Sequence, residues 1–163
     1  MRTISKHMLI HSTREKIFAL MDDFSKTGMR MTESSMMMMG GKLKLDSLST
    51  NTAGVGASYH WYGKMIGMTM DFSETVTKWQ APEFKEWETD GDAKIILMSW
   101  YRMWFEITRA ENGTNVKISI SYRPPKEWYF KILSFFFAKL YCWWCLNNML
   151  ADTKKELEKM TPF

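Results

Sequence analysis

Between Lys42 and Arg123 apolar and polar residues alternate in short runs separated by turn residues, and beyond Pro124-Pro125 the period lengthens to that of a helix. The alternation predicts strands over residues 3–11, 42–45, 57–63, 66–79, 84–89, 93–108 and 114–123. Turn chemistry falls between them at Asn51-Thr52-Ala53-Gly54, Ala81-Pro82, Asp90-Gly91-Asp92 and Glu111-Asn112-Gly113. Along 66–79, Ile66, Met68, Met70, Phe72 and Val76 share one face, while Thr69, Asp71, Ser73, Thr75 and Thr77 share the other. Such a strand is half buried.

Two helices frame this sheet. Ser12 and Glu15 have the spacing of a capping box, which predicts a short helix with Ile17, Phe18 and Met21 on one face and Asp22-Asp23 at its end. Residues 22–42 read as an irregular connector. A long helix starts near Lys126–Trp128 and runs towards Met160. At 100° per residue, Leu133, Phe136, Phe137, Leu140, Trp143 and Trp144 gather on one side of it. Lys131, Ser134, Ala138, Cys142, Cys145 and Asp152 gather on the other, so the aromatic side is expected to press onto the sheet. The order of elements is α+β, with helices against one face of an antiparallel sheet, in a single domain over residues 1–163.

Composition changes this picture in one respect. The chain has 163 residues, a size that suits one domain, but its apolar set includes 16 Met and 8 Trp. Met is flexible and suits surfaces that adapt to variable apolar partners, though it also fills gaps in ordinary cores. The net charge of +4 is scattered, so no nucleic-acid footprint is indicated, and peripheral contact with an anionic membrane stays open. No secretory segment opens the chain and only two Cys are present, so a cytoplasmic location is expected. The run from Trp128 to Leu150 is long enough to span a bilayer, but Lys131, Lys139, Asn147 and Asn148 argue against a span.

Several residue sets carry candidate chemistry. Met36, Met37, Met38 and Met39, between Ser34-Ser35 and Gly40-Gly41, read as an apolar flap over a cavity mouth or as a plug of the core. Cys142 and Cys145 have C-x-x-C spacing, yet no second pair exists to complete a zinc site, and the pair sits inside a helix rather than at its N-terminus. Ordinary thiols are the expectation, with no metal site and no cofactor. His7 and His11 face the same way on a strand and are expected in solvent; His60 is the third histidine. Among Glu74, Glu86, Glu88, Glu106 and Arg102, one pointing inward would have a shifted pKa and could hold a polar group or move a proton. Strand charges mostly face water. Of Tyr59, Trp61, Trp87, Trp100, Tyr101 and Trp104, some must line the interior.

The opening strand followed by Ser12-Thr13-Arg14-Glu15-Lys16-Ile17-Phe18-Ala19-Leu20-Met21-Asp22-Asp23 resembles the START-like, Bet v 1-type (SRPBCC) superfamily, in its bacterial polyketide cyclase/dehydrase and lipid-transport branch. Gly54-Val55-Gly56-Ala57-Ser58-Tyr59-His60-Trp61 and Asp71-Phe72-Ser73-Glu74-Thr75-Val76-Thr77-Lys78-Trp79 add to the likeness, which covers essentially the whole chain. The resemblance implies a helix-grip: a curved seven-stranded antiparallel sheet wrapped round a long C-terminal helix, with short helices after the first strand, enclosing a cavity for hydrophobic molecules. The glycine-rich loop of the plant allergens and the gate and latch of the plant hormone receptors are missing, and no family catalytic motif carries across.

The resulting expectation is binding or transport of a hydrophobic small molecule by a monomer or weak homodimer. Trp61, Met68, Met70, Phe72 and Trp87 on the sheet and Leu133, Phe137, Leu140 and Trp144 on the helix are its expected lining, with Met36–Met39 as lid. A cyclase- or aromatase-type enzyme is the alternative reading. A third is an interaction module with an exposed aromatic patch around Trp128, Phe135 and Tyr141, for a membrane or a partner.

Overall fold

The structure, a computed structural model, describes residues 1–24, 42–65, 67–93 and 95–160. Strand β1 (Arg2–Ile10) leads into helix α1 (Arg14–Asp22). Strands β2 (Lys42–Ser47), β3 (Ser58–Met65), β4 (Met68–Gln80), β5 (Phe84–Thr89), β6 (Trp100–Ala110) and β7 (Gly113–Arg123) follow, and helix α2 (Trp128–Lys159) closes the chain. The strands form one curved seven-stranded sheet in the order β1-β7-β6-β5-β4-β3-β2, with every neighbouring pair antiparallel. Strands β2 to β7 make a meander, and β1 returns to cover the free edge of β7. This is the helix-grip architecture that the sequence predicts.

Alternation places the core as expected on β4, where Met70, Phe72 and Val76 are buried, and on β7, where Val116, Ile118, Ile120 and Tyr122 are buried. Tyr59, Trp61, Trp87 and Tyr101 join them, whereas Trp100 and Trp104 lie on the other side of β6, half buried. Helix α1 buries Ile17, Phe18 and Met21, and the Phe18 ring meets Trp79 and Phe105 edge-on with centroids 5.7 and 5.5 Å away.

Three local expectations need correction. Thr13, not Ser12, caps α1: its Oγ1 accepts from the Lys16 amide at 3.4 Å. Ser12 is still tied to the sheet, because its amide bonds Ile10 O and its carbonyl accepts from Thr114 Oγ1, so the helix starts one residue later. Ala93 and residues 95–99 are not part of a strand. The consecutive apolar residues Ile95 to Met98 do not alternate; they fold back through an Ile95–Met98 bridge, and β6 begins only at Trp100. Helix α2 begins at Trp128, within the expected start, with Glu127 at its N-cap.

The third correction concerns which face of α2 is inside. Ser134, Ala138, Cys142, Leu146 and Leu150 are buried, while Leu133, Phe136, Phe137, Leu140 and Trp143 stand in solvent. Hydrophobicity selects the wrong side because close approach to β1 and β7 needs small side chains. Ser134, Ala138 and Cys142 recur every fourth residue and form a low seam on which the helix beds down. Bulky rings on that seam would hold the helix away from the sheet.

Candidate functional site

Sheet and helix do not close completely on each other. Between them lies a cavity of about 140 Å³. Trp61, Met70, Phe72 and Trp87 line it from the sheet, and Phe24 from the segment after α1. Tyr141, Cys142, Cys145, Leu146 and Met149 complete it from α2. A wider groove of about 420 Å³ lies beside it, between Asp92, Ala93 and residues 95–99 on one side and the start of α2 on the other; Ile95 and Met98 border both spaces.

One carboxyl interrupts the apolar wall. Glu74 is 3% exposed and sits between Phe72 and Val76 on the inner face of β4. Trp61 Nε1 donates to its Oε1 at 2.8 Å, and the Tyr101 hydroxyl donates to its Oε2 at 2.5 Å. Burial pushes the Glu74 carboxyl above the usual carboxylate range; the two hydrogen bonds and the Lys85 charge oppose that shift without cancelling it. Tyr101 is driven well above the ordinary phenol value by burial and by the carboxyl beside it. A carboxyl offers about four lone-pair sites, so acceptor capacity remains beyond these two donors.

Close by, Lys85 is almost fully buried on β5. Its Nζ lies 2.7 Å from Asp22 Oδ1, donates to Asp22 O at 2.9 Å, and sits 3.9 Å from the centroid of Phe24. Burial lowers its pKa, and Asp22 resists the fall. The pair fixes the end of α1 to the sheet and so positions Phe24, whose ring packs edge-on against Tyr59 and Trp87.

Of the residues singled out in the sequence, Trp61, Met70, Phe72 and Trp87 come together on the cavity wall. Met68 borders the outer groove instead. Leu133, Phe137 and Leu140 lie on the exposed face of α2, away from the cavity, and Trp144 is half buried outside its wall. The rotation of the helix described above is the reason. Met36–Met39 lie outside the described residues. Glu74 is the inward charge among the five considered, and its parity with Phe72 and Val76 was the available signal. The other strand carboxylates pair on the outer face, Glu88 with Arg102 at 2.9 Å and Glu86 with Lys78 at 3.3 Å.

Cys142 and Cys145 belong to the cavity wall. Burial pushes their thiols up to about 12 and about 11, which disfavours the thiolate that metal binding or redox exchange requires. His7 and His11 are exposed, and His60 Nε2 meets Asp71 Oδ1 at 2.8 Å near the surface. Among the described residues no group of three His, Cys, Asp or Glu side chains is placed to hold a metal ion, and no helix is long and apolar enough to cross a membrane.

No family model matches the sequence, and no curated protein matches it significantly. Solved structures do match in shape. Protein TTHA0849 from Thermus thermophilus superposes with a TM-score of 0.67 at 13% identity, over 99% of this chain and 100% of that one. Protein CV1439 from Chromobacterium violaceum gives 0.66 at 12% identity over 96% of each chain. Ara h 8.0201 gives 0.57 at 10% identity, over 92% of this chain and 98% of its own. At such identities the likeness speaks to fold alone, and the fold is that of the Bet v 1-like helix-grip structures.

Proposed function

We propose that the protein binds a hydrophobic small molecule between its sheet and its C-terminal helix. The observation that carries this reading is the apolar cavity with a single buried carboxyl in its wall. Ligand sites are typically concave and apolar, with few polar groups that fix orientation. The size narrows the guest. An apolar cavity of about 150 Å³ in another protein stays dry and takes benzene, so about 140 Å³ suits a single ring rather than an extended acyl chain. Spare acceptor capacity on Glu74 favours a ring that carries a hydroxyl or N–H. The outer groove, separated from the cavity by Ile95 and Met98, is the route by which a guest reaches it.

Native mass spectrometry of the purified protein, followed by displacement of a fluorescent apolar probe, tests the proposal. The expected result is a bound small molecule or saturable probe binding that Cys145→Phe, which fills the cavity, abolishes while the fold persists. Probe binding that survives Cys145→Phe unchanged, or no binding of any kind, overturns it.

A further inference from the structure

The exposed face of α2 carries more apolar surface than a free monomer ordinarily shows. Nine large apolar side chains between Trp128 and Trp143 are 36–73% exposed, with Trp128, Phe136 and Leu140 the most open. Aromatic side chains bury about 150–250 Å² each, so the patch is of the order of 1,000 Å², against about 300–600 Å² for the largest patch on a typical monomer. It occupies roughly 200° of the helix circumference over about 24 Å of its length.

Charge within the patch has one sign. Neither β1 nor residues 128–151 carry an acidic residue, and the nearest in sequence, Glu127 and Asp152, flank the stretch at its two ends. Lys131 and Lys139 are exposed on the helix itself. From β1, Arg2 reaches over the Phe135 ring at 5.0 Å and Lys6 over the Trp143 ring at 4.3 Å. Exposed rings rimmed by cations, with Trp and Tyr at the helix start, have the composition of a helix lying in the plane of an anionic lipid surface. A second copy is a poorer occupant. Pairing this face with itself would set Arg2, Lys6, Lys131 and Lys139 against their own counterparts, with acids only at the ends of the stretch, Glu127 and Asp152, to compensate.

We propose that the Trp128–Trp143 face of α2 docks on anionic lipid bilayers, its rings inserted at headgroup level and its cations on lipid phosphates and carboxylates. The docking does not depend on the cavity being occupied.

Flotation with phosphatidylcholine vesicles, with and without phosphatidylserine, tests this, alongside light scattering of the free protein. The expected result is a monomer that floats with phosphatidylserine vesicles at least tenfold more tightly than with phosphatidylcholine alone, and is released by salt. Phe136→Ser with Leu140→Ser should weaken binding by about 100-fold or more, and Lys131→Ala with Lys139→Ala by roughly 25-fold. Both pairs lie in solvent, so circular dichroism and the urea midpoint should stay close to wild type. Failure to float, equal binding to neutral vesicles, or a dimer that the Phe136/Leu140 pair dissociates each overturns the proposal.

Discussion

Leu140 and Leu146 sit on the same helix and differ only in which way they face, so the same truncation at both measures how the helix is seated. Leu140 is 64% exposed and Leu146 is 0% exposed. Full burial of a leucine contributes about 1.5–3 kcal/mol, so the third of Leu140 that is covered is worth roughly 0.5–1 kcal/mol. Leu146→Ala removes a completely buried side chain and leaves a void beside the cavity, a change that costs about 2–5 kcal/mol. Helix propensity changes equally in both variants and cancels in the comparison. Urea unfolding followed by far-UV circular dichroism reads the difference as a shift in midpoint at constant slope. Leu146→Ala should be the less stable variant by at least about 1 kcal/mol. Equal losses, or a greater loss for Leu140→Ala, would mean that the aromatic side of α2 faces the sheet, and the seam of small residues would be refuted.

Three other outcomes follow from buried ionisable groups. Asp22→Ala strands the Lys85 ammonium and should destabilise the fold by about 3–5 kcal/mol, with Asp22→Ala/Lys85→Met recovering most of the loss in urea unfolding. Because burial raises the Glu74 carboxyl, the folded protein binds more protons than the unfolded chain above the ordinary carboxylate pKa. The stability that Glu74 contributes is therefore fully present at low pH and lost as pH rises from about 4 through its folded pKa. Glu74→Gln should gain on wild type across that window, and a pH-independent gap between the two would contradict the assignment. Cys142 and Cys145, pushed up to about 12 and about 11, should alkylate with iodoacetamide far more slowly at neutral pH in the native protein than in urea. Equal rates would place them outside the core.

Strand positions were legible because a pleated, half-buried surface forces a period of two, and Met70, Phe72, Val76 and the even residues of β7 obey it. Part of the sheet side of the cavity wall follows from the same period: Trp61, Met70, Phe72 and Trp87 all lie on inner faces. The helix side was not. A hydrophobic wheel assumes that the greasiest face is the buried one, and it takes no account of how close a backbone must approach a sheet. Here Ser134, Ala138 and Cys142 supply that approach, and Phe136 and Phe137 are left outside. Likewise, Ile95 to Met98 read as strand because each residue is apolar, although a run apolar at both parities cannot lie on one face of a sheet. Glu74 was one of five candidates and was not singled out, since a strand carboxylate is ordinarily assigned to solvent even where its parity matches Phe72 and Val76. Only its donors, Trp61 and Tyr101, give it a reason to be inside.

The hollow between sheet and helix can be probed directly by nuclear magnetic resonance of methyl-labelled methionines during titration with phenol. Met70, Met98, Met103 and Met149 border the cavity, whereas Met1 and Met160 lie in solvent and form no part of its wall. Saturable shifts of the four inner methyls and of the Trp61 indole N–H, with Met1 and Met160 unmoved, are the predicted result. Shifts confined to surface methyls, or linear drift without saturation, would contradict a ligand-binding interior.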